Sequence, residues 1–172
     1  GLGVRMHDSG LRQRIGDTLG EGYAAAAHGD LSGAIALHHD ALALIRQLLA
    51  AEPGDDHRRG LASSLYAVAE LHLNAGEHDA ALAALAECEE AYRGLERSPA
   101  DIDMLLADVE LRRARVHAAA GRGASAIVAA QSAVAAYLRS GIDDRDPHYL
   151  DLARAFAWNA DILLVYGDPD VA

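Results

Sequence analysis

The stretch NAGEHDAALA, from Asn74 to Ala83, decides how this chain is read, because its pattern recurs at three other places. Its glycine, Gly76, has counterparts in the same frame at Gly29, Gly121 and Gly167, and the successive spacings are 47, 45 and 46 residues. Repetition at a fixed period of this size is typical of architectures that stack one supersecondary unit on another. The sequence therefore predicts an internally repeated fold.

Small residues keep a constant distance from each glycine. An alanine stands five residues after each glycine, and a glycine or alanine stands seven residues before it. A further small residue stands twelve residues after the glycine, wherever the chain is long enough. Two antiparallel helices need small residues where their axes approach, and a glycine where one turns sharply into the next. The frame thus predicts a repeated helical hairpin. Its small residues are Ala34, Ala81, Ala126 and Ala172, then Gly22, Ala69, Ala114 and Ala160, then Ala41, Cys88 and Ala133.

Prolines mark the other boundary of each repeat, at Pro53, Pro99 and Pro147, among Asp and Ser residues that can cap a following helix. The hydrophobic content of 51% comes mostly from Ala and Leu and only 5% of residues are aromatic, which favours an all-α fold. We expect seven helices, at 11–28, 30–51, 57–75, 77–96, 101–120, 122–140 and 148–166.

The run LASSLYAVAELHLNAGEHDAALAALAECEEAY, residues 61–92, resembles a tetratricopeptide repeat, whose hairpin carries small residues and a glycine at these intervals. The period near 46 exceeds the family's 34 residues and implies longer helices. The resemblance implies a right-handed α-solenoid of about seven helices, or three and a half hairpins. The implied domain spans 11–172, with repeats near 11–53, 54–99, 100–146 and a partial one at 147–172, and residues 1–10 are expected to be a tail or linker remnant.

The last residue, Ala172, falls where the second helix of a fourth hairpin would begin. An array that ends on half a hairpin leaves an apolar stripe uncovered, whereas terminal repeats normally carry a polar outer face. We expect that the chain is a fragment of a longer protein, or that a partner or a second copy covers this C-terminal end. The second option predicts a homodimer.

The formal net charge of −11 excludes the basic footprint that nucleic-acid binding requires. The single cysteine, Cys88, excludes an internal disulfide framework and favours a reducing compartment. No apolar run approaches the ~20 residues that span a bilayer. We therefore expect a cytoplasmic protein that binds neither nucleic acid nor membrane.

Two adjacent histidines, His38 and His39, raise the question of a metal site. Consecutive residues on a helix point about 100° apart, so this pair cannot hold one ion from one face. We expect His38 to fill a core position and His39 and Asp40 to face solvent. His72 and His117 occupy equivalent repeat positions, about 10 Å apart in stacked helices, which is too far for joint coordination. No metal site is predicted, although a histidine-dependent metal site or enzyme remains an alternative.

Other motifs also have structural explanations. The run GRGASA, Gly121 to Ala126, has the form of a dinucleotide-binding loop, but that loop follows a β-strand and this run follows a predicted helix. Cys88 falls at a small packing position, which indicates a buried, inert thiol. We predict no cofactor and no enzymatic activity.

Surface recognition is the function that remains. The resemblance implies an inner groove lined by the first helix of each hairpin, where aromatic, arginine and amide side chains suit peptide recognition. We expect a protein- or peptide-interaction module; the alternative is a sensory domain of a larger signalling or transcription-activating protein that binds an effector peptide or small molecule. The predicted groove residues are Tyr23, Tyr66, Glu70, Asn74, Asp108, Arg112, Arg115, Arg154, Trp158 and Asp161.

Overall fold

The predicted helices form almost where the repeat frame puts them. The structure is a computed structural model that describes residues 2–147 and 149–166 and, within them, the side chains of residues 9–147, 149–162 and 165. Within these residues the fold is all-α, as predicted, with no strand. Its seven helices are α1 (Leu2–Ala27), α2 (Leu31–Ala51), α3 (Asp55–Asn74), α4 (His78–Arg93), α5 (Pro99–Ala119), α6 (Gly123–Arg139) and α7 (Tyr149–Tyr166).

The helices belong to two compact units, residues 1–95 with α1 to α4 and residues 96–172 with α5 to α7. In the first unit α1 packs on α2, α2 on α3 and α3 on α4. In the second unit α5 packs on α6, and α6 on α7. The closest associations are those within the predicted hairpins, α1–α2, α3–α4 and α5–α6.

The turn glycines explain why these hairpins close. Gly29, Gly76 and Gly121 have φ values of 79°, 75° and 74°, a left-handed conformation that costs other L-residues about 1–2 kcal/mol. In each turn the residue after the glycine donates its backbone N–H to a carbonyl five residues back, which satisfies the helix end. The fourth glycine of the frame, Gly167, lies outside the described residues. The three bonds are Asp30 to Ala25 at 2.9 Å, Glu77 to His72 at 2.9 Å and Arg122 to His117 at 2.8 Å.

The small residues lie where the helices of a hairpin meet. Those five and twelve residues after the turn glycines are completely buried: Ala34, Ala41, Ala81, Cys88, Ala126 and Ala133. Cys88 also donates its thiol to the backbone carbonyl of Ala62 at 3.3 Å, so the prediction of a buried thiol is confirmed.

Gly22, on α1, lies where α2 approaches the backbone of α1 closely. A Cβ atom added at this position would lie 2.9 Å from Cδ2 of His38, on α2. His38 is 1% exposed, and the ring of Tyr23 meets it edge-on with centroids 4.9 Å apart. The prediction that His38 fills a core position is confirmed.

The boundaries differ from the prediction mainly at the N-terminus. α1 begins at Leu2, whereas the sequence pattern placed its start near residue 11 and treated residues 1–10 as a tail. The segment before Leu11 contains no proline, so nothing stops the helix once it is anchored. The anchor is Leu11, 5% exposed, which packs with Leu44 and Leu48 of α2.

Prolines separate the repeats as predicted. Pro53 lies between α2 and α3, Pro147 lies between α6 and α7, and Pro99 is the first residue of α5. Ser98 caps α5, and its hydroxyl accepts the backbone N–H of Asp101 at 3.2 Å.

Candidate functional site

A cavity of about 380 Å³ opens between α5 and α7, inside the second unit. This volume lies within the range of small-ligand sites and can accommodate one or two side chains of a peptide. Four of the ten predicted groove residues line it. The lining consists of Leu111 and Arg115 from α5, with Arg154, Ala157, Trp158 and Asp161 from α7.

Helical spacing brings these side chains onto facing surfaces. Leu111 and Arg115 are four residues apart on α5, and the four contributors from α7 follow one another at intervals of three, one and three. Residues three or four apart share one helix face. Sequence reasoning missed Leu111 and Ala157 because it looked for chemically distinctive residues, although their spacing from Arg115 and Arg154 could have indicated them.

Trp158 is held in place by the core beneath the cavity. Its half-buried indole packs against a cluster of Ala114, Ala126, Ala129, Ala130 and Ile162. Two of these alanines belong to the repeat frame, so the close packing of α5 and α6 also supports the base of the cavity. The indole therefore presents a fixed apolar surface to the opening.

The charges around the cavity are mixed, with two guanidinium groups and one carboxylate. The side chain of Arg154 is 76% exposed and lies 3.6 Å from a carboxylate oxygen of Asp151, a weak surface pair. Arg115 and Asp161 are also exposed. A ligand here meets an apolar wall beside groups that bind carboxylates with directed N–H donors.

The other predicted groove residues lie elsewhere. Asp108 of α5 accepts a hydrogen bond from the hydroxyl of Tyr137, a fully buried residue of α6, and so supports the packing of α5 on α6. Arg112 is half-buried on α5 outside the cavity lining. The remaining four belong to the first unit, where Tyr66 and Glu70 are half-buried and Tyr23 and Asn74 are exposed.

A histidine contact in the first unit was not predicted. His39 is exposed, as expected, but its Nε2 lies 3.0 Å from Nε2 of His72, which is 7% exposed on α3. The two residues are 33 positions apart, and the repeat frame alone gives no signal that they meet. His117, equivalent to His72 in the frame, lies in the second unit.

A second concave surface of about 400 Å³ lies between α5 and α6, lined in part by Glu110, Arg113, His117 and Ser125. Burial, then the nearby guanidinium groups of Arg122 and Arg113, lower the pKa of His117, and Glu110 opposes this shift. Because Glu110 and Arg113 form an ion pair with each other, the main charges of this surface are already matched.

Metal and dinucleotide chemistry find no further support. Within the described part of the chain, no three His, Cys, Asp or Glu side chains lie close enough together to hold a metal ion. The GRGASA run forms the turn between α5 and α6 and follows a helix, as predicted, instead of a strand.

In the part of the chain that the structure describes, no helix is long and apolar enough to cross a membrane. Apolar side chains are nevertheless exposed on α7. They are Tyr149, Leu150, Phe156 and Val165.

No protein-family model matches the chain, and no curated protein matches it significantly.

Proposed function

We propose that the chain is a protein- or peptide-binding module of tetratricopeptide type, which recognises a partner and does not transform it. The observation that carries this proposal is the cavity of Arg115, Arg154, Trp158 and Asp161, which gathers an aromatic anchor and two guanidinium groups on facing helices. Buried aromatic and arginine side chains dominate the energy of many interfaces. The tetratricopeptide assignment rests on the repeat frame and on its three equivalent turns.

The lining suggests the chemistry of the partner. An apolar side chain would lie against Trp158 and Leu111, while a neighbouring carboxylate would accept hydrogen bonds from Arg115 or Arg154. The net charge of −11 repels an acidic peptide at long range. At physiological salt this repulsion is screened beyond about 8 Å, so the local guanidinium groups decide the outcome at contact.

Trp158 gives a direct readout, because it is the only tryptophan in the chain. We would select peptides from a random displayed library and titrate them into the full chain while recording tryptophan fluorescence. Peptides with an apolar residue next to an Asp, a Glu or a free C-terminus should be enriched, and they should change the Trp158 emission.

Arginine variants then test the site itself. Arg115→Ala and Arg154→Ala should each weaken binding about tenfold, the value of one lost charged hydrogen bond. Arg139→Ala is a matched control, because Arg139 lies in the same unit, is 60% exposed and pairs weakly with Asp103 at 3.4 Å. If the selected peptides bind both cavity variants as tightly as they bind the control, the cavity is not the binding site.

The second copy suggested by the sequence belongs to this proposal as well. The exposed apolar residues of α7 support an association through this helix. Light scattering on the purified chain should then give twice the monomer mass, 36.2 kDa against 18.1 kDa. A mass of 18.1 kDa at high concentration would exclude a stable homodimer.

A further inference from the structure

The contact between His39 and His72 has a specific geometry. The Nε2 atoms are 3.0 Å apart and the ring centroids are 5.3 Å apart. In an imidazole ring the distance from the centroid to a nitrogen is a fixed radius. The centroid separation exceeds the Nε2–Nε2 distance by two such radii, which is the largest difference that two imidazole rings allow. Both rings therefore lie along one line, with their Nε2 atoms pointing directly at each other.

This alignment leaves room for one proton between the rings. A hydrogen bond at this distance needs one N–H and one lone pair, so one ring carries hydrogen on Nε2 and the other does not. If one ring takes up a further proton on its outer nitrogen, the hydrogen bond becomes charge-assisted and persists. If both rings are fully protonated, two N–H groups face each other and the contact must open.

The same alignment argues against a chelated metal ion. For an ion about 2.0–2.1 Å from both nitrogens, the nitrogen–ion–nitrogen angle would be near 95° when the nitrogens are 3.0 Å apart. The lone pairs must then point to a common spot beside the line that joins the nitrogens. Here they point along that line, which suits a shared proton instead.

Charged groups lie near the pair on both sides. On the His72 side, Nδ1 lies 3.6 Å from a carboxylate oxygen of Glu77, in the turn between α3 and α4. At 3.6 Å this is an electrostatic contact and not a hydrogen bond; the nearby negative charge favours a proton on Nδ1 of His72, which leaves its Nε2 as the acceptor. In the neutral pair, His39 is then the donor.

On the His39 side the surroundings oppose a positive charge. Burial lowers the pKa of His39 most, followed by the charges of His72 and Arg46, while Asp40 and Glu87 raise it. Arg46 and Glu87 form their own ion pair at 2.6 Å, so their effects on the ring partly cancel.

We propose that His39 and His72 form a proton-sharing pair that fastens α2 to α3. The pair connects the hairpin α1–α2 to the hairpin α3–α4 within residues 1–95, so its release loosens the association between two repeats. The device is independent of the cavity in the second unit.

The pH dependence of the His39 contribution to stability follows from the protons that the folded and unfolded chains bind. The unfolded chain takes up protons on histidine near pH 6.5, whereas folded His39 takes them up only at lower pH. The contribution of neutral His39 to stability is therefore fully present above about pH 6.5 and declines as the pH falls below that value.

Nitrogen-detected NMR of the full-length chain tests the proton-sharing arrangement without any mutation. At pH 8 the two rings should show opposite protonation at Nε2, with hydrogen on Nδ1 of His72. Two rings that carry hydrogen on the same nitrogen would overturn the proposal.

Hydrogen exchange of α2 and α3 amides measures the link itself. At pH 8, His39→Gln and His72→Gln should each reduce protection about fivefold, the value of one ordinary hydrogen bond, and the double variant should lose no more than either alone. The control is His78→Gln, a histidine of the same unit outside the pair; no coupling between the two pair variants at pH 8 contradicts the proposal.

Discussion

The hairpins α3–α4 and α5–α6 have the same frame but different chemistry. Both turn at a left-handed glycine, and both bury small residues at the same offsets, Ala81 and Ala126 among them. The residue four positions before the turn glycine is a histidine in both, yet His72 is buried against another histidine and His117 is half-buried beside an ion pair. The frame therefore fixes the backbone, while the neighbouring helix decides what each outward side chain does.

The helices that lie beside α3 and α5 explain why His72 and His117 have different surroundings. In residues 1–95, α3 has α2 on its other side, so His72 meets a side chain of the preceding hairpin. In residues 96–172, α5 is the first helix, and its facing partner across the cavity is α7. One unit thus gains an interhelical proton-sharing contact, and the other gains an open cavity.

The largest expected effect tests whether the two hairpins pack alike. Ala81→Leu and Ala126→Leu should each lower the free energy of unfolding by about 3 kcal/mol, because three extra carbon atoms must fit where the alanine has no exposed surface. Ala83→Leu, at an exposed position of α4, is the control and should change it little. Thermal unfolding followed by circular dichroism gives the comparison.

Similar losses for the two buried variants would mean that the frame imposes the same helix contact in both units. If either variant is as stable as Ala83→Leu, the frame does not describe the packing of that hairpin.

The next effect concerns the turns. Gly76→Ala and Gly121→Ala should each cost about 1–2 kcal/mol, because a Cβ atom is unfavourable at a left-handed φ even in open space. Gly60→Ala should have the opposite sign and stabilise the chain by about 0.5–1 kcal/mol, since Gly60 lies within α3 with no atom nearby. Chemical denaturation of all three variants measures these differences.

A stabilising Gly76→Ala or Gly121→Ala substitution would show that the turn does not need its left-handed glycine. The two hairpins would then no longer share one closing mechanism.

The smallest expected effect concerns His38, a core histidine that does not belong to the proton-sharing pair. Burial, and then His39, lower the pKa of His38, and neither of its ring nitrogens has a hydrogen-bond partner. His38→Leu should therefore raise the free energy of unfolding by about 1 kcal/mol at neutral pH, since a buried unsatisfied polar group is removed. Because folded His38 resists protonation, the wild type should lose stability as the pH falls below about 6.5, and the variant should lose less.

Denaturation midpoints at pH 7.5 and pH 5 provide the measurement. His28→Gln, which changes an exposed histidine, should keep the wild-type pH dependence. An unchanged acid sensitivity in His38→Leu would assign that sensitivity to other groups.

The sequence predicted the features that depend on local spacing. Glycines at Gly29, Gly76 and Gly121, and prolines such as Pro99, specify turns and helix starts through backbone conformation alone, so their positions were correct. The start of α1 was missed because a helix with no stop signal continues past Leu11, the buried residue that anchors it on α2.

Contacts between helices were harder to predict. Arg115 and Trp158 were predicted from the groove positions that the resemblance implies, together with their residue types, and they share a cavity, whereas Leu111 carries no chemical signal of its own. Asp108 was expected in the groove, yet its carboxylate binds Tyr137. Which side chains meet depends on how two helices cross, and that angle is set by the packing of all their residues together.

The tight contact at Gly22 has an evolutionary consequence. Because a Cβ atom there would lie 2.9 Å from the ring of His38, a substitution at position 22 requires either a shift of that ring or a smaller residue at position 38. The two positions should therefore vary together among descendants of this chain, with glycine opposite a ring and alanine or serine opposite a shorter side chain. Such a linked pair would record how the first hairpin diverged from its sister repeats.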